Sequence, residues 1–170
     1  DAAPDVGIVS FWTQHFGDAD RLWACPCPAF PYQWATNEAA TFSALRAEAY
    51  EATGGFRDIG MQGYEDWDLI NAMLADGWKA VTLPEILADY RVRGESGLRS
   101  MTAHAHGFMR RQILERFPDL VQRDALDIVR LCDAHEVWLQ RNELFELRAR
   151  MARARRMARR PDEALGWAVR

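Results

Sequence analysis

Apolar residues recur at spacings of three and four through Trp67, Leu69, Ile70, Met73 and Leu74. That period predicts a helix opened by Glu65 to Asp68, running to about Ala75 and stopping at Asp76-Gly77. Upstream, the run Val6-Gly7-Ile8-Val9-Ser10-Phe11 predicts a short strand. Trp12 to Trp23 is mixed and reads as a loop or short edge element. Phe42-Ser43-Ala44-Leu45 predicts a short strand leading into a helix over Arg46 to Thr53, which Gly54-Gly55 ends. Trp78 to Pro84 predicts a strand closed by proline, and Ile86 to Val92 another. Arg91 to Ser100 is a polar loop with glycines. A helix is predicted from His104 to about Phe117, before Pro118. A second, long one runs from about Leu120 toward Arg160, where Pro161 stops it. Strands alternating with helices in the first hundred residues predict an α/β arrangement.

Composition changes this picture at two points. The chain has 170 residues, 49% of them hydrophobic, enough for one real core with an appendage. Its net charge of -4 is unevenly spread. Residues 1–147 carry 13 basic and 23 acidic side chains, whereas residues 148–170 carry 8 basic and 2 acidic. An acidic body with a basic tail, and no recognition motif, disfavours nucleic acid as a partner. No run of 18 apolar residues predicts a membrane span. Asp1-Ala2-Ala3-Pro4 lacks the basic-then-apolar pattern of a secretory leader and any initiator Met, as expected of an excerpt or a processed product.

The 3 cysteines are few and odd in number, which fits a reducing compartment. Cys25-Pro26-Cys27-Pro28 has one residue between its cysteines and no second pair nearby, so it predicts a rigid extended loop, not a zinc site. His104 and His106 are two apart and do not share a helical face. No metal-ligating residues are assigned. Val137, Leu144 and Met151 repeat every seven residues, a short seam for packing or weak self-association. Arg148 to Arg160 holds seven arginines, either a solvated helix end or a contact for anionic lipid or an acidic partner.

The densest chemistry is Gly63-Tyr64-Glu65-Asp66-Trp67-Asp68. Acids at a helix start favour the helix dipole and cap free amides. They also suit a general base with a second acid to orient a polar substrate. Periodicity does not choose between these readings. Thr36 and Asn37 suit turn chemistry or a polar substrate contact. Arg91, Arg93 and Arg99 with Ser96 form either a solvated connector or an anion clamp.

Asn37 through Arg93 resembles the second half of the catalytic domain of family 2 glycosyltransferases, which have the GT-A fold. The resemblance rests on Phe42 to Phe56, on Gly63-Tyr64-Glu65-Asp66-Trp67-Asp68-Leu69, on Gly77 to Pro84, and on Tyr90-Arg91, in that order and spacing. It covers roughly residues 4–100, more loosely to about 118. It implies a partial GT-A domain over 1–100, the acceptor-side half of the mixed sheet with flanking helices. A helical extension over 101–160 and a tail over 161–170 would follow.

By the same resemblance, Asp66 is the general base of an inverting transfer from a nucleotide-sugar to an acceptor hydroxyl, assisted by Glu65. Asp68 is structural. Trp67, Asn37, Thr36 and Tyr64 belong to the acceptor and donor region. Arg91, Arg93, Arg99 and Ser96 belong to the phosphate side. Arg93 stands where the family often has histidine, and arginine does not ligate a divalent ion. The family's nucleotide-binding half, with its Asp-x-Asp motif for Mg or Mn, has no counterpart here. Asp18-Ala19-Asp20 has the letters but not the place. The complete enzyme is thus expected to use a divalent cation whose main ligands lie outside this chain.

The implied partners are a nucleotide-sugar, a carbohydrate or glycolipid acceptor, and the missing half in cis or in trans. The implied place is the cytoplasm or the inner face of a membrane. The chain alone is expected to be inactive. The alternatives are a degenerate carbohydrate or nucleotide-sugar binding module, or a helical interaction module.

Overall fold

The computed structural model describes residues 3–60, 63–93, 97–134 and 151, with the backbone alone at 97–106. The chain divides into two compact units, Asp1–Ile128 and Val129–Arg170. In the second unit, residues 129–134 and 151 are helical. Val137 and Leu144 of the heptad seam and nearly all of the arginine-rich run fall outside the described residues. The first unit is mixed α/β.

Strand β1, Val6–Gly17, is the spine of a mixed sheet. Strand β2, Arg21–Trp23, and strand β3, Ala44–Leu45, pair antiparallel with different stretches of it. Strand β4, Lys79–Val92, pairs parallel along its whole length. Helix α1, Ala47–Ala52, and helix α2, Glu65–Ala75, lie between β3 and β4 in sequence. Their apolar faces meet the sheet: Ile8, Ala39, Ala49, Leu69, Ile70 and Met73 form one buried cluster. At about 25 cal/mol per Å² of apolar surface, such burial is the main drive for the layer.

Two predicted boundaries shift. β1 continues through Thr13, Gln14 and His15, where a loop or short edge element was expected. These polar residues are sheltered by neighbours on both sides, and Gln14 Nε2 donates to Asp20 Oδ1 at 2.9 Å. β4 runs on through Pro84, where two strands were expected. The register slips between Phe11 opposite Leu83 and Trp12 opposite Ile86. Proline, with no N–H for the ladder, sits where the extra residues bulge out.

The loop after β2 is pinned by its cysteines. Cys25 Sγ donates to Phe11 O and Cys27 Sγ to Ala80 O, each at 3.1 Å. Cys25 and Cys27 thus face two different strands as free thiols. A 3-10 turn at Tyr32–Trp34 follows. Fully buried Trp34 stacks on Phe30 at 4.0 Å and donates through Nε1 to Asp124 Oδ2 at 2.8 Å.

Helix α3 spans Gly97–Arg116 and begins seven residues before the predicted start at His104. Arg99, Ser100, His104 and His106 are therefore on helical backbone. Residues 118–128 continue as helix beyond Phe117. Buried Met109 and Ile113 draw α3 into the first unit.

Two glycines close α1. Both take positive φ, +82° at Gly54 and +69° at Gly55. A Cβ at Gly55 would stand 2.6 Å from the Tyr50 ring, while at Gly54 it would meet nothing within 4 Å. Gly54→Ala should cost about 1 kcal/mol of backbone strain and Gly55→Ala about 2–4 kcal/mol, since strain and overpacking combine there. Urea denaturation of the two variants measures the difference.

The Asp124 carboxyl is held below its usual range by hydrogen bonding from Arg123, against opposing burial, with Trp34 contributing. A depressed folded pKa gives stability above the unfolded value of about 3.9, lost as pH falls through the folded value. Acid titration below about pH 4 should therefore weaken the wild type more than Asp124→Asn, read by thermal melts at each pH.

Candidate functional site

Helix α2 starts from a left-handed turn. Gly63 has φ +95° and Tyr64, its N-cap, has φ +69°. For a residue with a side chain this conformation costs about 1–2 kcal/mol. It brings Glu65, Asp66 and Asp68 into the first helical turn, at the positive end of the helix dipole.

The three acids then diverge. Asp68 is fully buried and paired twice. Arg57 Nη2 reaches Oδ1 at 3.0 Å and Arg57 Nε reaches Oδ2 at 3.2 Å. Arg116 Nη1 meets Oδ2 at 2.5 Å. This carboxylate joins the segment after α1, the start of α2 and the end of α3.

Half-buried Asp66 is held differently. Its Oδ1 accepts the Trp67 backbone N–H at 2.7 Å, and its Oδ2 accepts the Thr41 hydroxyl at 2.6 Å. Each oxygen keeps a second lone pair, so the carboxylate can still accept a proton from an incoming hydroxyl. Beside it, the Tyr64 phenol is pushed up, first by burial and then by the negative charge of Asp66. Glu65 Oε2 is buried without a hydrogen-bond partner. A buried orphan carboxylate oxygen is costly, and marks a place where a donor fits.

The other predicted site residues are distributed as follows. Trp67 is 1% exposed and works as a support: its indole N–H donates to Gln33 O at 2.7 Å. Asn37 Oδ1 accepts from Gln33 Nε2 and Ala39 N, and the Thr36 hydroxyl donates to Glu38. Both are thus engaged in turn chemistry. Arg91 and Arg93 are exposed at the end of β4. No described contact joins them to Asp66. Arg99 lies on α3, and Ser96 falls outside the described residues.

Four contributors carried no sequence signal of their own: Thr41, Gln33, Arg57 and Arg116. Each acts across at least 11 residues of sequence.

Among the described residues, no three His, Cys, Asp or Glu side chains converge as metal ligands. Asp20 of the Asp18-Ala19-Asp20 stretch is engaged by Gln14. Among the described residues no helix is long and apolar enough to cross a membrane.

Comparison with known proteins returned no matching family, no matching curated protein and no matching solved structure.

The two arginines on Asp68 differ in solvent access, with side chains 42% exposed at Arg57 and 24% at Arg116. Solvent screens the first pair more strongly. Arg116→Ala should cost about 1–3 kcal/mol, because it removes the less screened of the two partners of a buried charge, and Arg57→Ala about 1 kcal/mol or less. Chemical denaturation at neutral pH measures both.

Proposed function

We propose that this chain is the acceptor-side half of an inverting glycosyltransferase of the GT-A, family 2 type. Asp66 acts as general base toward an acceptor hydroxyl. The observation that carries the reading is the Asp66 carboxylate itself. It stands half-buried on the first turn of α2, oriented by Thr41 through one oxygen and by the Trp67 amide through the other. A general base must be held at hydrogen-bond reach of the proton it removes, with lone pairs to spare. The order of β3, α1, the double glycine, α2 and β4 adds support, since it follows the order of the resembling segments.

In this reading the acceptor oxygen loses its proton to Asp66 as it attacks the anomeric carbon, and the nucleoside diphosphate leaves from the opposite face. Glu65, with its free oxygen, receives a hydroxyl from a sugar. Holding both substrates together supplies the orientation advantage. The diphosphate needs stabilisation as it departs, and a nucleotide-binding half with its divalent cation supplies it, in cis or in trans. The proposed place is the cytoplasm or the cytoplasmic face of a membrane.

The test joins this chain to a nucleotide-binding half and measures turnover of UDP- and GDP-linked sugars. Asp66→Asn should lower kcat by about 10²–10⁴-fold. Thr41→Val, which frees one oxygen of the base, should lower it by roughly tenfold, about 1.4 kcal/mol. Unchanged turnover in Asp66→Asn rejects the assignment.

A further inference from the structure

A run of aromatic rings begins at the residue after Thr41 and crosses the sheet. Phe42 adjoins Thr41, the residue whose hydroxyl holds Asp66. Its ring lies between Phe11, at 5.8 Å and 29°, and Tyr90, at 6.5 Å and 28°. Tyr90 then meets His15 at 5.3 Å, and His15 meets Trp23 at 6.0 Å. Sheet register explains the last steps: Tyr90 pairs with His15, and Trp23 pairs with Thr13, two residues away. Phe42 and Tyr90, 41% and 43% exposed, are the open part of the row, whereas His15 is buried.

We propose that these rings form an oligosaccharide-binding platform, and that the acceptor is a saccharide chain several residues long. This rests on the transferase reading above and names its acceptor class. A pyranose has an apolar C–H face and a rim of hydroxyls. It needs flat ring faces beneath it and polar groups beside it. The exposed parts of the Phe42 and Tyr90 rings, 6.5 Å apart, offer such a surface, and the negative face of an aromatic ring attracts C–H groups. Polar groups lie alongside, with Arg21 Nε donating to His15 Nδ1 and Gln14 bonded to Asp20.

Charge narrows the ligand class. Residues 1–147 carry 23 acidic against 13 basic side chains, which repels polyanions such as nucleic acid or an anionic lipid surface. Position adds the rest. Because the rings begin next to Thr41, a chain with its terminal hydroxyl at Asp66 lays its preceding residues on Phe42 and Tyr90.

The test uses the whole chain without nucleotide-sugar, and three probes: hexamers of β-1,4-glucose, α-1,4-glucose and β-1,4-N-acetylglucosamine, each against its monosaccharide. Binding is read by calorimetry and by saturation-transfer NMR. At least one hexamer should bind at least tenfold more tightly than its monomer. Phe42→Ala and Tyr90→Ala should each weaken it at least fivefold, and Leu126→Ala, on a distant exposed helix position, should not. Phe42→Leu keeps apolar bulk without a flat face and should weaken binding like Phe42→Ala. Tyr90→Trp keeps a face and should retain it.

The proposal is overturned if no hexamer binds, if hexamer and monomer bind alike, or if Phe42→Leu binds normally. It is also overturned if Phe42→Ala or Tyr90→Ala dissociates copies of the chain in sedimentation, which would make the rings an interface between copies. Absent hexamer binding with Asp66-dependent transfer intact removes the platform alone. Hexamer binding with transfer indifferent to Asp66→Asn removes the base assignment alone.

Discussion

The Asp68 carboxylate is the constraint on which the site depends. It is buried without exposure and meets guanidinium groups from two other segments. A buried charge is tolerated only when paired and hydrogen-bonded. Formation of this cluster therefore fixes the segment after α1, the start of α2 and the end of α3 together. The consequence for Asp66 is geometric. At 3.6 residues per turn, positions two apart point roughly to opposite sides of a helix. Burying Asp68 turns Asp66 toward the rim, where Thr41 meets it. A buried structural acid and a half-buried acid at the rim are consequences of the same helix rotation.

β1 provides the second constraint. It pairs with β2, β3 and β4, so one strand organises the whole sheet. Its first half faces α1 and α2 through Ile8 and ends at Phe11, and its second half carries His15 among other rings. The bulge opposite Trp12 falls between these halves. Extra residues in β4 at Pro84 and Glu85 let the two strands stay paired while the surroundings change from an aliphatic core to an aromatic surface.

Legibility in the sequence followed the range of the forces involved. α1 and α2 were legible because apolar spacing and terminating glycines are local. The short strand at Ala44–Leu45 and the start of β1 were legible for the same reason. The rest of β1 was not, because Thr13 and His15 are polar and become strand only by pairing with neighbours distant in sequence. β4 was divided at Pro84 because a local breaker signal could not reveal a bulge that absorbs it. At the site, Asp66 and Glu65 stood out as acids at a helix start. Thr41 did not: a lone threonine has no signature, and only folding brings it across 25 residues to the carboxylate. The family resemblance implied that Trp67 lines or supports the acceptor region, and its burial and its bond to Gln33 O are those of a support beneath the turn.

These features divide the chemical labour in the proposed transferase. Acid–base and aromatic groups are present on this chain, and the diphosphate with its cation is assigned to the nucleotide-binding half. An acidic body is a poor electrostatic environment for a dianionic leaving group, because each carboxylate adds an unfavourable term that falls off only over the Debye length of about 8–10 Å. It is a tolerable one for a neutral saccharide. Separation of the two substrates follows from that difference. The sugar chain can rest against the ring-lined surface, while the charged nucleotide requires a surface of opposite character to an acidic body. A transferase built this way holds its base on the acceptor's side of the boundary, since only the acceptor has a proton to give up.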